Sequence, residues 1–351
     1  MRNKIIIDDH IISEDDSVYI IAEVSANHLH DFNRAKNIIK AAYDAGADAV
    51  KLQTYRPDTL TLDCHTDEFL ATPGSPWDGM NLHDLYKTAY TPWEWHADLM
   101  AYAKELGITM FSSPFDITAV DFLEKLDVPA YKIASFEIVD IPLIRKVATT
   151  GKPIIISTGI AEISDIQLAL DACIKEHNDQ VILLKCVSEY PTPFDEINLN
   201  TIPNMRNTFG CVVGVSDHSL GSCVPVASVA LGACVVEKHL TLSRKDGGPD
   251  SSFSMEPAEF AHMVNDIKNT KRALGTVSYH LSDEQKKSRE RGRSLYVVKD
   301  IKCGEEFNES NVRSIRPGYG LHPKYYYSII GKHAKTDLKV GDALRWEHIE
   351  L

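Results

Sequence analysis

No run of about 18 consecutive apolar residues occurs in the chain, so no segment reads as a membrane-crossing helix. Basic residues are scarce too, since 37 Lys and Arg face 50 Asp and Glu and leave a net charge of −13. Binding a phosphate backbone needs a basic stripe, so neither nucleic acid nor an anionic membrane is expected as a partner. The seven cysteines (Cys64, Cys173, Cys186, Cys211, Cys223, Cys234 and Cys303) are odd in number and lack any CxxC spacing. They read as reduced thiols of a cytoplasmic protein rather than as disulfides or a structural zinc site. The opening MRNKIIIDDHIISEDD has a short apolar run, but acids follow at once and no small-residue cleavage site appears, so it does not read as a signal peptide. Long Pro/Gly/Ser tracts are missing, as is any repeat beyond a β-then-α alternation.

What is present is ordinary globular material, 44% hydrophobic and 25% charged, in 351 residues, more than one core usually serves. Short β-branched runs recur at Val18–Val24, Ala49–Gln53, Thr109–Ser112, Tyr131–Ala134, Ile154–Ser157, Val181–Val187, Val212–Ser216 and Val235–His239. Helical stretches such as Asp31–Ala45, Pro92–Leu106, Ile117–Leu126, Ile141–Thr149, Ser164–Glu176 and Gly221–Leu231 separate them. Eight such units predict a (β/α)8 barrel of the TIM type, with a doubly wound open sheet as the alternative. Arg56–Ala89 is too long for an ordinary connection and reads as a lid or substrate wall. Beyond Phe253 an amphipathic helix, Pro257–Leu274, precedes a charged segment, Ser282–Arg293, suited to an exposed linker. Short strand-like runs at Leu295–Val298, Val312–Ile315 and Leu344–Trp346 then predict a small β-rich domain. The expected division is a barrel over 1–280, a linker over 281–292 and a second domain over 293–351.

In such a barrel the strand C-termini open onto one face, and polar residues there read as site groups. The strand ends carry Glu23, Lys51 with Gln53, Ser113, Lys132 with Ser135 and Glu137, Ser157, Ser188 with Tyr190, Ser216 with His218, and Glu237 with His239. Residues two apart on a strand share a face, so these pairs can meet at the mouth. Lys51 and Lys132 lie inside apolar strands, where an unpaired ammonium is costly, and with the serines they suggest a cradle for phosphate and carboxylate. The bland reading of either is a solvated charge. His218 and His239, from neighbouring strands, suit a divalent ion such as Mn2+, with Asp217 and Glu237 as outer groups; a lone histidine would more often be structural.

The blocks IAEVSANH, AVKLQTY, FSSPFD, YKIASFE, ISTGIA, YPTP, GVSDHS, EKH and GGPDSSFS resemble those of the sialic acid synthase family, and RSLYVVKDIKCGEEF, SIRPGYGLHP and GDALRW resemble its C-terminal antifreeze-like (SAF) domain. Within that family SANH, WDGMNLHDLY, TPWEWH and RPGYGLHP are most similar to its pseudaminic acid branch. The resemblance implies condensation of phosphoenolpyruvate (PEP) with a 2,4-diacetamido-2,4,6-trideoxy hexose as its open-chain aldehyde. Water adds to C2 of PEP, C3 attacks the aldehyde, and phosphate leaves by C–O cleavage. It implies that Lys51, Ser113, Lys132, Ser135, Ser157 and Ser188 hold PEP. By the same likeness His218 and His239 bind Mn2+ or Mg2+, Glu23 handles a proton or positions water, and Gln53, Glu137, Tyr190, Asp250 and Arg316 face the sugar. Arg316 would reach the partner's site in a domain-swapped homodimer. Ser188 stands where N-acetylneuraminate synthases usually carry Asn, and the 56–89 segment does not match theirs; an N-acetylneuraminate or legionaminate synthase is the alternative. Trp77 and Tyr86 could wall an apolar sugar face. Two other classes stay open: a Schiff-base aldolase on Lys132, Lys51 or Lys238, and an ice- or glycan-binding module.

Overall fold

Eight parallel strands close into a barrel in the first of two units, Met1–Gly275; the computed structural model describes residues 1–350. A hairpin of β1 (Ile5–Ile7) and β2 (His10–Ile12) comes first. The barrel strands are β3 (Tyr19–Glu23), β4 (Ala49–Thr54), β5 (Thr109–Pro114), β6 (Tyr131–Ile133), β7 (Ile154–Ser157), β8 (Val181–Cys186), β9 (Val212–Asp217) and β10 (Val235–His239). Each pairs with the next, and β10 returns to β3.

The two-residue period of a strand sorts its side chains into two sets. Ile20, Ala22, Val50, Leu52, Ile154, Ile156, Val213, Val215 and Val236 pack outward with the helices in the larger core. Tyr19, Ile21, Ala49, Phe111, Ile155, Ile182, Leu184, Val212 and Val235 form a second core inside the barrel, joined by Ile5, Ile7 and Ile12 of the hairpin. The hairpin stops the N-terminal end, where Thr109 Oγ1 donates to Asp8 at 2.8 Å. Continuing the inward set toward the strand C-termini reaches Glu23, Lys51, Ser113, Ser157, Cys186, Ser216 and Glu237. The polar site is therefore the top layer of the barrel's own interior. Gly214 shows how tight that interior is: a Cβ there would come 2.4 Å from the Val235 carbonyl and 2.7 Å from a Leu184 methyl.

The 56–89 connection holds helices Pro57–Leu60 and Leu82–Ala89, the latter capped by the Asn81 side chain accepting from the His83 and Asp84 amides. Two expectations need correction. Within the charged linker, Asp283–Arg289 is helical, because Ser282 and Gln285 form a reciprocal cap. Leu344–Trp346 is not a strand: Ala343 makes one bridge to Tyr296, and Trp346–His348 forms a 3-10 turn. A helix, Thr201–Phe209, also fills the β8–β9 connection that the helical stretches above omit; Pro203 sits in its first turn, where no amide donor is needed.

The second unit, Thr276–Leu351, pairs β11 (Ser294–Val297) with β12 (Val312–Ile315) antiparallel. Leu295, Val297, Phe307, Val312, Ile329, Ala334, Leu338 and Leu344 give it a separate core.

Candidate active site

The centre of the barrel mouth holds two ammonium groups and two carboxylates. Lys51 is 4% exposed and Lys132 2%, so both are inside protein rather than in solvent. Lys51 pairs with Glu23, lies 3.9 Å from Glu237 and donates to Ser113 Oγ at 3.3 Å. Lys132 lies 3.7 Å from the other Glu237 oxygen and donates to Ser157 Oγ at 2.7 Å. Glu237 also accepts from Ser216 Oγ at 2.8 Å. Burial and neighbouring charge act against each other here. For Glu23 burial wins over Lys51 and raises the carboxyl above its usual range. For Glu237 burial is the largest single influence, yet Lys132 and Lys51 together outweigh it and hold the carboxyl down. Burial lowers Lys132 despite Glu237, whereas Lys51, with two carboxylates beside it, is raised.

Ser135 and Ser188 come from different loops and meet around Gly159. A Cβ on Gly159 would lie 2.2 Å from Ser188 Oγ and 2.7 Å from Ser135 Oγ, and the Gly159 amide donates to Ser135 Oγ at 3.2 Å. The buried Ser188 hydroxyl has no partner in the chain. Two hydroxyls held against Gly159, that of Ser188 without a partner, are donors an oxyanion could take.

His218 and His239 stand with ring centroids 5.3 Å apart. His218 donates from Nδ1 to the Val187 carbonyl at 3.0 Å, which leaves Nε2 as a free lone pair. His239 is pushed well below the ordinary histidine range by burial first and by His218 second, and its buried Nδ1 has no partner. Burial lowers His218 too, but Cys186 beside it outweighs that and raises the imidazole, so a divalent ion held by this pair would displace a proton from His218. Among the described residues no group of three or more His, Cys, Asp or Glu side chains is arranged around a common centre, so the remaining positions would fall to water and substrate. Asp217 is not an outer group of this pair. The strand period turns it and Lys238 outward, where the two pair and Lys238 also donates to the Ser219 carbonyl, so Lys238 is no Schiff-base candidate.

Of the residues expected to face a sugar, Gln53 with Asp250 and Tyr190 with its aromatic neighbours form two groups, while Glu137 and Arg316 stand apart. Gln53 donates to Ser25 Oγ at 2.9 Å, and Ser25 donates to Asp250. Tyr190 lies 4.4 Å from the His218 ring and 5.0 Å from Phe253, and Trp77 covers it at 5.7 Å. Trp77 Nε1 also donates to the Pro249 carbonyl at 3.1 Å. Tyr86 packs instead on Tyr55, at 5.8 Å. Glu137, in the turn Ser135–Val139, keeps one buried oxygen without a partner, and burial raises its carboxyl to about 7. Arg316 is exposed on the second unit, after β12. Sequence reading did not single out Gly159, Phe253 or the linking role of Ser25. For Gly159 a signal existed, a glycine following directly on a Ser-Thr strand end.

Comparison with known proteins adds an independent line. A model described as the NeuB family matches residues 38–279, and one described as the SAF domain matches 292–350. The chain is 46% identical over 331 residues to the pseudaminic acid synthase of Campylobacter jejuni subsp. jejuni serotype O:2, covering 94% of this chain and 96% of that protein. It is 45% identical over 332 residues to the pseudaminic acid synthase of Helicobacter pylori, covering 94% and 97%. Among solved structures, the N-acetylneuraminic acid synthetase of Leptospira borgpetersenii in complex with citrate aligns with a TM-score of 0.73 at 30% identity, over 81% of this chain and 94% of that one.

Proposed function

Because this chain belongs to the NeuB family, we propose that it is a pseudaminic acid synthase, condensing PEP and water with a 2,4-diacetamido-2,4,6-trideoxy hexose to release phosphate. The observation that carries this reading is the pair of nearly unexposed lysines at the barrel mouth, together with the unpartnered Ser188 hydroxyl held against Gly159. Lys51 and Lys132 supply charge to the carboxylate and phosphate of PEP, and Ser113, Ser135, Ser157 and Ser188 direct it by hydrogen bonds. Glu23, whose affinity for protons is raised by burial, is suited to hold the water that adds to C2 and take its proton. Glu237 lies 3.9 Å from Lys51 and 3.7 Å from Lys132 and favours the charged form of each against burial. Gln53, Glu137, Tyr190 and Asp250 orient the sugar so that its aldehyde carbon meets C3 of PEP. His218 and His239 would hold Mn2+ or Mg2+, which as a Lewis acid polarises an aldehyde oxygen. No helix among the described residues is long and apolar enough to cross a membrane. Free thiols and a PEP substrate fit the cytoplasm.

Phosphate release from PEP with a panel of mono- and diacetamido sugars tests the reading. Highest kcat/KM is expected with the 2,4-diacetamido-trideoxy sugar, whose methyl and second acetamido groups offer apolar surface to Trp77 and Tyr190. A kcat/KM at least as high with N-acetylmannosamine would shift the assignment to N-acetylneuraminate.

We further propose a domain-swapped homodimer in which Arg316 of one subunit completes the other's barrel mouth. Its fork of donors can orient sugar oxygens in a way lysine cannot. Arg316→Ala and Lys51→Ala proteins, each inactive alone, should regain part of the activity when mixed under subunit exchange. Normal turnover by a folded Arg316→Ala protein would rule the shared site out.

A further inference from the structure

Ser25 is buried at the end of β3 with φ +46°, in the left-handed region that a residue with a Cβ enters only when its surroundings impose it. Its surroundings are three site residues. The Ser25 amide donates to Glu23 Oε1 at 2.8 Å. Its hydroxyl donates to Asp250 Oδ2, which also receives the Ala26 amide at 3.3 Å, and accepts from Gln53 Nε2 at 2.9 Å.

The order of donors in this chain is fixed. Burial raises the Asp250 carboxyl, but its Oδ2 already accepts the Ala26 amide and so takes the single Ser25 proton as an acceptor too, and the hydroxyl oxygen is left to accept from Gln53. Gln53 must therefore turn its NH2 toward Ser25, which leaves its carbonyl oxygen on the other side. Asp250 Oδ1 takes no hydrogen bond from the chain. Two acceptor oxygens are thus left free on one flank of the mouth.

We infer that Ser25 is a positioning residue that sets the hydrogen-bonding polarity of the sugar subsite, holding Gln53 and Asp250 as acceptors for the N–H and O–H donors of an acetamido sugar. Without the hydroxyl, the Gln53 amide is free to turn over and present a donor, and Asp250 is free to rotate. The inference rests on the proposed function for the identity of the sugar but not for the polarity itself.

Ser25→Gly and Ser25→Ala separate the hydroxyl from the backbone. Glycine suits φ +46°, so Ser25→Gly loses the hydroxyl's two hydrogen bonds without the backbone strain that Ser25→Ala keeps, and should melt above Ser25→Ala. Both variants should raise KM for the sugar about tenfold or more while KM for PEP stays within about twofold, the signature of a lost substrate-orienting bond. Three results would each overturn the inference: sugar kcat/KM within twofold of wild type in folded Ser25→Gly, equal losses for PEP and sugar, or wild-type kinetics in Ser25→Gly with a loss in Ser25→Ala. If the wild-type enzyme prefers N-acetylmannosamine, the sugar assignment fails, and the same KM split measured with that sugar still decides the role of Ser25.

Discussion

Replacing Lys132 by methionine should cut turnover by about a hundred- to a thousandfold, the range for removing one preorganised donor from a dry site. Methionine fills much the same space, so the loss reads the ammonium, which donates to Ser157 at 2.7 Å and lies 3.7 Å from Glu237. The variant also tests the electrostatics without substrate. Lys132 is the main partner holding the Glu237 carboxyl down against burial, and its removal lets burial raise that carboxyl. A depressed carboxyl gives stability that is present above its unfolded value, near 4.5, and is lost as pH falls. A raised one does the reverse, favouring the fold at low pH and costing stability once it ionises. The melting-temperature deficit of Lys132→Met should therefore be smallest at the acid end, below about pH 4.5, and grow as pH rises toward 8. A deficit independent of pH would show that Lys132 and Glu237 are not coupled, and near-normal turnover would remove Lys132 from the PEP cradle.

His239→Ala should abolish measurable turnover and weaken Mn2+ binding by about a hundredfold or more, with little change in melting temperature. On the proposed reading two imidazoles would hold the ion, so deleting one would leave a single protein donor. The fold should tolerate the change because His239 gives its buried Nδ1 no partner and the aromatic rings it meets, His218 and Phe253, lie 5.3 and 5.1 Å away. Mn2+ titration followed by electron paramagnetic resonance checks binding separately from activity. Unchanged Mn2+ affinity in the variant would move the metal elsewhere, whatever happened to the rate.

The central residues of the mouth were legible because the barrel obeys the strand period. Once Ile21, Ala49 and Val235 are known to face inward, Glu23, Lys51 and Glu237 must follow. The same period, applied consistently, would have turned Asp217 and Lys238 outward; placing Asp217 beside the histidines ignored its position between Ser216 and His218. Ser282 and Gln285 likewise announced a short helix inside a segment whose charge suggested only a linker.

By itself, then, the sequence determined the eightfold βα alternation, the inward and outward faces of each strand and the chemical character of the layer at their ends, because hydrophobic period and backbone geometry are local properties. Only the tertiary structure decided what crosses between loops. It brought Ser135 and Ser188 to Gly159, laid Trp77 over Tyr190, and forced Ser25 into a left-handed backbone between Gln53 and Asp250. Those contacts join residues as far apart as 25 and 250. Their geometry is set by how separate loops close over a common barrel, and no local pattern in the chain encodes that closure.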